Sequence, residues 1–240
     1  MRLLLATGSI LLLALPVYAQ DEPAKKPELK TNKEKVSYAI GMNIGRQFKA
    51  QGMDIDPKVL AVGIAAILND QEPALTPDEI KAAFDAMDAE RTKAMQELAA
   101  KNKAEAVKFL KENATKKGVK KTKTGLQYLV LKEGTGKSPT LEDSVKAHYR
   151  GKLISGKVFD SSYEGKDPTS ADKPFSTPVT RVIAGWTEAL QLMPVGSKWQ
   201  LTIPSELAYG QRGAGGAIGP NETLVFDVEL LSIEKSASTE

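Results

Sequence analysis

Apolar residues recur at helical spacing where the chain first shows a regular pattern. They are Val36, Ile40, Ile44 and Phe48. Intervals of four residues place them on one face of a helix. Just before them, the stretch TNKE supplies Thr31 as an N-cap and Glu34 three residues later, the two halves of a reciprocal capping box. The pattern predicts that order begins at Thr31 with an amphipathic helix.

A second, shorter helix is predicted between Asp56 and Leu68. Asp56 followed by Pro57 is typical of a helix start. The apolar residues on one face of this helix are Leu60, Ile64 and Ile67. Because such a face cannot bury itself within a small segment, it predicts association with another chain. We expect a homodimer formed through the helical domain of residues 31–75.

One long helix is predicted to follow as a linker over residues 76–117. TPDE places a cap at Thr76 and closes a capping box at Glu79, and no further proline or glycine occurs before Gly118. About 40 helical residues span about 60 Å. The apolar residues cluster towards the two ends: Ile80, Phe84, Met87, Val107 and Leu110. Since the middle is polar, we interpret the helix as a solvated spacer between two packed bodies.

From Leu126 onwards the apolar period changes from helical to alternating. Four stretches alternate as strands do: 126–130, 144–154, 198–203 and 223–233. Ser155-Gly156 has the composition of a hairpin turn, and residues 187–193 form the one short helical stretch. The pattern predicts an α+β fold in which an antiparallel sheet carries a single helix, over residues 118–235. Residues 236–240 are left as a tail.

The beginning of the chain has the pattern of a secretory signal. Arg2 precedes an apolar run that ends in V-Y-A at Ala19, and this run is shorter than the roughly 20 residues of a spanning helix. Residues 20–30 are polar and contain proline, which is typical of a flexible leader. We expect export, cleavage after Ala19, and a mature protein without a transmembrane segment.

Charge and composition exclude several classes of function. Without Arg2 the formal charge falls from +3 to +2, with acidic and basic residues interspersed, so nucleic acid is not an expected partner. The chain has no cysteine, which excludes disulfides and a thiol nucleophile. With a single histidine as well, it offers no expected zinc site, and we expect no metal and no cofactor.

Three polar motifs are better explained as structural. GTGKS at 134–138 resembles a phosphate loop, but Leu131 stands where the first glycine is required and Pro139 follows instead of a helix. The glycine-rich stretch 210–220 runs into a strand and is interpreted as a surface loop. Alternation places His148 on the polar strand face between two cations, so we expect an exposed residue rather than a catalytic histidine.

Aromatic and aliphatic residues gather near the predicted strand ends. They are Tyr149, Phe159, Val182, Ile183, Trp186, Tyr209, Ile218 and Phe226. Such a set is more often a hydrophobic core than a binding pocket. Composition alone leaves both interpretations open.

The order of several motifs distinguishes between these two interpretations. They are HYRGKLISGKVFDSS, VIAGWTEALQLMPVGSKWQLTIP, LAYG and GPNETLVFDVELL. Over residues 125–234 they closely resemble the FKBP-type peptidyl-prolyl cis-trans isomerases. TNKEKVSYAIGMNIGRQF and the long helix resemble the amino-terminal arm of the macrophage infectivity potentiator subgroup, which includes the FkpA-like proteins.

This resemblance implies an isomerase domain with a pocket for the proline ring. Trp186 would form its floor, the N–H of Ile183 and the hydroxyl of Tyr209 would hold substrate carbonyls, and Asp160 would complete the catalytic group. The substrate-binding residues would be Tyr149, Phe159, Phe175, Val182, Ile218 and Phe226. Macrolide inhibitors of the family are implied as further ligands.

The sequence also departs from the family pattern. Thr177 stands where a second aromatic residue often follows Phe175, and Ala214 and Ala217 replace larger side chains in the glycine-rich loop. The loop from Tyr163 to Lys173 is longer than usual. These changes bear on substrate preference and inhibitor affinity.

The role of Asp160 separates two hypotheses about the reaction. Amide rotation breaks no covalent bond, so an apolar pocket can accelerate it without an acid. We expect Asp160, beside Phe159 in VFDSS, to anchor neighbouring side chains rather than to donate a proton. For both residues to reach the pocket, the strand must twist or bulge where it gives way to Ser161-Ser162.

Three functions stay open at this level. The first is an exported enzyme that isomerises X-Pro bonds in unfolded or surface proteins. The second is a chaperone whose amino-terminal arms grip unfolded clients, and the third is a structural dimer of the cell envelope. We expect the first, acting in the periplasm or at the cell surface. Isomerase and chaperone activities can coexist in one protein, so this expectation does not exclude the second.

Overall fold

The computed structural model describes residues 26–165 and 172–235. The predicted signal segment, the leader up to residue 25, the middle of the loop between Tyr163 and Lys173, and the predicted tail 236–240 lie outside the described residues. The chain divides between Met53 and Asp54 into two units.

The first unit contains helix α1, Asn32–Gln51. Both halves of the predicted capping box form: the backbone N–H of Glu34 donates to the Thr31 hydroxyl, and the Glu34 carboxylate accepts from the Thr31 N–H. The hydrogen bonds from Thr31 and Lys30 lower the pKa of Glu34. The predicted apolar face is present but uncovered, with Val36 50% and Ile40 55% exposed.

The second unit opens with helix α2, Pro57–Leu68. Asp56 caps it by accepting from the N–H groups of Lys58 and Val59, as predicted from the Asp-Pro start. Its apolar face is also uncovered, since Ile67 is 65% and Leu68 77% exposed.

Helix α3, Pro77–Ala114, is the single long helix that the sequence predicted. Thr76 and Glu79 form its capping box. Residues 88–98, in the middle of the helix, are exposed, and the carboxyl half is where Asn102, Ala106 and Asn113 are buried. These residues recur at helical spacing on the face that contacts the sheet domain, whereas Val107, which was expected to renew the apolar stripe, is 64% exposed.

Seven antiparallel strands form one sheet, which agrees with the predicted α+β fold. They are β1 Val119–Lys121, β2 Gln127–Lys132, β3 Asp143–Leu153, β4 Val158–Ser161, β5 Phe175–Pro178, β6 Lys198–Ile203 and β7 Leu224–Lys235. The order is β1-β2-β6-β7-β3-β4, and β5 also pairs with β3. The predicted hairpin turn connects β3 to β4, with Gly156 at a φ of 87°.

Helix α4, Ala184–Leu192, crosses the sheet and closes the core. Its approach is close because residue 185 is glycine: a Cβ there would lie 2.4 Å from Cγ2 of Ile203 on β6. Ala189 and Leu190 are buried against Leu201, Ile203 and their neighbours. The contact at Gly185 therefore sets how deeply the following residue, Trp186, enters the core.

No helix among the described residues is both long enough and apolar enough to cross a membrane. This statement covers residues 26–165 and 172–235 and leaves the predicted signal segment aside.

Candidate functional site

A cavity of about 380 Å³ opens beside α4. Nine of the ten residues predicted for the site line it: Tyr149, Phe159, Asp160, Phe175, Val182, Ile183, Trp186, Tyr209 and Phe226. Arg181 lines it as well. The volume lies within the range of about 300 to 1,000 Å³ that is usual for ligand pockets. The sequence alone could not assign these aromatic residues to a core or to a pocket. The structure shows both, since Trp186 and Phe226 line the cavity and also belong to the buried core.

A strand irregularity brings two consecutive residues to this cavity. Gly151 on β3 pairs with Asp160, while the next residue, Lys152, pairs with Val158. Phe159 is the extra residue between them, so β4 bulges at Phe159 and not at the predicted step to Ser161-Ser162. A bulge turns neighbouring side chains away from strict alternation, and this is why Phe159 and Asp160 line the same cavity.

The walls of the cavity are aromatic rings packed edge to face. The Tyr149 ring lies 5.3 Å from that of Trp186 at 89° and 5.5 Å from that of Phe175 at 70°. Phe226 contacts Trp186 at 5.4 Å and Phe159 at 5.5 Å, again nearly perpendicular. Perpendicular pairs are a favoured aromatic geometry, so these contacts stabilise the orientation of the rings.

Trp186 lies in the first turn of α4 and is only 4% exposed. Its indole Nε1 is buried and has no hydrogen-bond partner within the part of the chain that the structure describes. The helix has no side-chain cap, and the N–H of Ile183, its N-cap residue, donates no hydrogen bond within the described ranges. The helix start therefore leaves backbone donor capacity at the cavity wall.

Asp160 is held by two hydrogen bonds. Its Oδ2 accepts from the Tyr149 hydroxyl at 2.7 Å, and its Oδ1 accepts from the N–H of Ser161 at 2.8 Å. Burial, together with the hydrogen bond and the charge of Asp160, raises the pKa of Tyr149 well above its usual range. The phenol is therefore a stable donor, and the exposed carboxylate anchors the ring at the centre of the aromatic walls.

Tyr209 contributes the other phenol of the cavity. It follows a short 3₁₀ turn, Ser205–Leu207, and its side chain is 40% exposed. Its hydroxyl makes no hydrogen bond among the described residues. Tyr209 is thus placed at the mouth of the cavity with its polar group available.

Two structural features of the cavity were missed from the sequence. Arg181 brings a cation to the cavity wall, and the sequence offered no signal for it except its position before Val182-Ile183. Gly151 is the second: a Cβ there would lie 2.7 Å from both Cζ of Phe159 and Cε1 of Phe226. Glycine in a strand often marks such a close approach, so the HYRGK stretch contained a usable hint.

Ile218 does not line the cavity, in contrast to the prediction. It is 6% exposed and packs in the core. The loop turns back on itself there, since the N–H of Ala214 donates to the Ile218 carbonyl at 2.9 Å, and this pairing draws the side chain inward. Ile218 is therefore part of the core cluster and not of the cavity lining.

His148 is also less exposed than predicted. Its Nδ1 lies 3.1 Å from the Ser162 hydroxyl, and its ring stacks on Tyr163 at 4.9 Å. It lies on the opposite strand face from Tyr149, because neighbouring strand residues alternate. Among the described residues, no group of three or more histidine, aspartate or glutamate side chains is placed to hold a metal ion.

Family models match both parts of the chain. Residues 33–130 match the domain amino-terminal to FKBP-type peptidyl-prolyl isomerase, and residues 136–231 match the FKBP-type peptidyl-prolyl cis-trans isomerase domain. The second match contains all ten predicted site residues and also Arg181.

Curated relatives extend the similarity over nearly the whole length. The chain is 41% identical to the outer membrane protein MIP of Legionella longbeachae, with 99% of this chain and 100% of the relative covered. It is 47% identical to the FKBP-type 22 kDa peptidyl-prolyl cis-trans isomerase of Escherichia coli strain K12, with 86% and 98% covered. Among solved structures, FkpA from Escherichia coli matches with a TM-score of 0.59 at 36% identity, covering 87% of this chain and 100% of that one.

Proposed function

Because this chain belongs to the FKBP-type peptidyl-prolyl cis-trans isomerases, we propose that the cavity beside Trp186 is where it rotates the peptide bond before proline. The chain is a peptidyl-prolyl cis-trans isomerase by its family. The observation that carries the proposal is the cavity itself, because six of its ten lining residues are aromatic.

The chemistry of amide rotation suits an apolar cavity. The barrier of about 18 to 20 kcal/mol comes from conjugation between the amide nitrogen and the carbonyl. Water stabilises the planar, charge-separated form more than the twisted one. Moving the prolyl amide into an apolar site therefore lowers the barrier, because the ground state loses more solvation than the transition state does.

The polar groups at the edge of the cavity orient the peptide. The proline ring would rest on Trp186, and the free N–H of Ile183 would donate to a substrate carbonyl at one side. The Tyr209 hydroxyl would donate to another carbonyl at the mouth. Two such bonds fix a bent backbone, which lowers the entropy cost of reaching the twisted state.

Asp160 acts through Tyr149 in this proposal. Both its oxygens already accept hydrogen bonds, which is the arrangement of an anchor and not of a proton donor. Its charge also fixes the direction of the Tyr149 hydroxyl and thereby the shape of the wall. We assign it a supporting role in the reaction.

The two tryptophans provide the test. Trp186 is 4% and Trp199 5% exposed, and both indole nitrogens lack partners among the described residues, but Trp199 stacks on Tyr128 and does not line the cavity. Trp186→Phe and Trp199→Phe should each lower stability, by less than the about 3 to 5 kcal/mol of a Trp→Ala change. Only Trp186→Phe should also lower the rate of proline-limited refolding or of peptide isomerisation, measured on folded protein.

Equal losses of rate in the two variants would contradict the assignment of the cavity. A rate that both variants retain in full would place the reaction elsewhere on the molecule.

Chaperone activity in a homodimer is the second proposed function. It is supported by the uncovered apolar cluster on α2, formed by Leu60, Gly63, Ile64, Ile67 and Leu68. Ile67→Lys should shift the mature protein from dimer to monomer in sedimentation at micromolar concentration. Ala65→Lys adds the same charge outside this cluster and should leave the dimer intact. A mature wild-type protein that sediments as a monomer would refute dimerisation, and the enzyme proposal does not depend on it.

Export to the periplasm or the cell surface is proposed from the signal pattern. The name of one relative, an outer membrane protein, agrees with an envelope location. Amino-terminal sequencing of the protein from the cell envelope should find Gln20 as the first residue. An uncleaved Met1 in cytoplasmic fractions would contradict export.

A further inference from the structure

The carboxyl half of α3 is bonded to the segment that precedes β7. The side-chain amide of Asn102 donates from Nδ2 to the Pro220 carbonyl at 2.8 Å. In the reverse direction, Nδ2 of Asn221 donates to the Ala99 carbonyl at 3.1 Å. Asn102 is only 6% exposed and Pro220 is buried, so this contact excludes water.

The backbone at this contact is shaped for a close approach. A Cβ at Gly219 would lie 3.3 Å from Nδ2 of Asn102 and 3.5 Å from Cδ2 of Leu98. Asn221 has a φ of 56°, a left-handed conformation that asparagine tolerates better than most residues. Glycine and asparagine thus let the chain follow the surface of α3 closely.

The same segment leads back to the cavity. The N–H of Asn221 donates to the Gly210 carbonyl at 2.9 Å, and Gly210 directly follows Tyr209 in the chain. A connected path of hydrogen bonds therefore runs from Ala99 and Asn102 on α3, through Pro220 and Asn221, to the residue next to Tyr209.

We infer that Asn102 is a positioning residue for the isomerase reaction, because it holds Pro220–Asn221 on α3 and thereby fixes Tyr209 at the mouth of the cavity. The inference rests on the proposed role of this cavity. It makes the carboxyl half of α3 part of the isomerase module and not only a linker. Removing the amide leaves the buried Pro220 carbonyl without its donor, which loosens the segment 210–222.

Asn113 provides a matched control on the same helix. It is also 6% exposed, and its Nδ2 also donates into the sheet, to Oε1 of Gln127 at 2.9 Å and to Oγ1 of Thr202 at 3.3 Å. Neither of these partners lines the cavity. Loss of this amide should therefore cost stability without moving Tyr209.

The experiment compares Asn102→Ala, Asn102→Asp and Asn113→Ala in the full mature chain. Asn102→Asp preserves size but cannot donate from that position as an ionised carboxylate. At a temperature where all variants are folded, kcat/KM for a proline peptide should fall about 3- to 10-fold for both changes at Asn102. It should stay within about twofold of wild type for Asn113→Ala.

A double variant tests whether the effect passes through Tyr209. If Asn102 acts by holding Tyr209, Asn102→Ala combined with Tyr209→Phe should be no slower than Tyr209→Phe alone. Hydrogen exchange provides a readout independent of catalysis: amides of residues 210–222 should exchange faster in Asn102→Ala and not in Asn113→Ala.

Equal rates and equal exchange of 210–222 in the Asn102 and Asn113 variants would overturn the inference. Faster hydrogen exchange of residues 210–222 with an unchanged kcat/KM would also overturn it. The same holds if the double variant loses kcat/KM by the product of the two single losses. If Tyr209→Phe alone has no effect on the rate, the role of Tyr209 in the proposed function fails. If Tyr209→Phe has no effect while the Asn102 variants lose rate, Asn102 does not act through Tyr209, and the inference is wrong as well.

Discussion

Removing the carboxylate of Asp160 tests most directly whether the reaction uses an acid or a shaped cavity. In Asp160→Ala the Tyr149 hydroxyl loses its acceptor at 2.7 Å, and the N–H of Ser161 loses its partner at 2.8 Å. The Tyr149 ring keeps its edge-to-face contacts with Trp186 and Phe175. The cavity wall should therefore loosen without collapsing.

The expected magnitude follows from the exposure of this pair. A typical hydrogen bond contributes about 0.5 to 1.5 kcal/mol, and bonds to charged groups about 1.5 to 3 kcal/mol. Because Asp160 is exposed and Tyr149 half-buried, water can replace the lost partner, and the lower range applies. If all of it appears in the barrier, kcat/KM falls by a factor of about 2 to 10. An essential general acid contributes about 10² to 10⁴.

The assay is peptide isomerisation between about pH 5 and pH 9, with folding checked at each pH by circular dichroism. Asp160→Asn is the matched control, since its amide oxygen still accepts from Tyr149 while its charge is lost. It should retain more activity than Asp160→Ala. Because the pKa of Tyr149 is raised by burial and by Asp160, the phenol stays protonated throughout and should cause no alkaline limb. If no side chain donates a proton in the reaction, the wild-type rate should also be flat on the acidic side while the fold persists.

A loss of 10² or more in folded Asp160→Ala, together with an acidic limb in the wild-type profile that the variant lacks, would refute this reasoning. Asp160 would then be the proton donor.

Two further predictions concern stability. Gly151→Ala places a Cβ 2.7 Å from the rings of Phe159 and Phe226. Thermal unfolding should therefore show a free energy of unfolding lower by about 1 to 3 kcal/mol, and the isomerase rate should fall. An unchanged rate and melting temperature would show that the two rings move aside without cost. Burial, and then the charge of Glu105, raise the pKa of Glu222, so its charged form disfavours folding, and the penalty grows as pH rises through the ordinary and then the raised pKa. Glu222→Gln should stabilise the fold by at most about 0.5 kcal/mol at pH 7, discounted for exposure, and not at about pH 3; a gain of equal size at both pH values would exclude this cause.

Local patterns in the sequence predicted the four α-helices and four of the seven strands within the described residues. The capping boxes at Thr31 and Thr76 form as predicted, and α3 runs unbroken to Ala114. These features depend on residues within one helical turn of each other, so a linear sequence contains all the information they need. The strands β3, β6 and β7 were likewise predicted from alternation, while the three-residue β1 is too short to show any period.

Ordered motifs also predicted most of the residues that line the cavity. Nine of the ten predicted residues meet at one cavity, because the strand order brings β3, β4, β5 and the start of α4 together. The isomerase rates of the variants at Trp186, Asp160 and Tyr209 test whether these residues act on the substrate as proposed. The sequence alone could not separate pocket from core, because the same apolar side chains serve both.

Tertiary structure decided what depends on contacts between distant parts of the chain. Ile218 turned inward because Ala214 pairs with it across the loop, and Gly151 matters because two phenylalanines pack over it. The polar middle of α3 was interpreted as solvated, yet Asn102 is buried on Pro220, 118 residues away. An asparagine that bonds to solvent and one that bonds to a distant carbonyl look alike in a sequence, since helical periodicity records hydrophobicity and not the position of a partner.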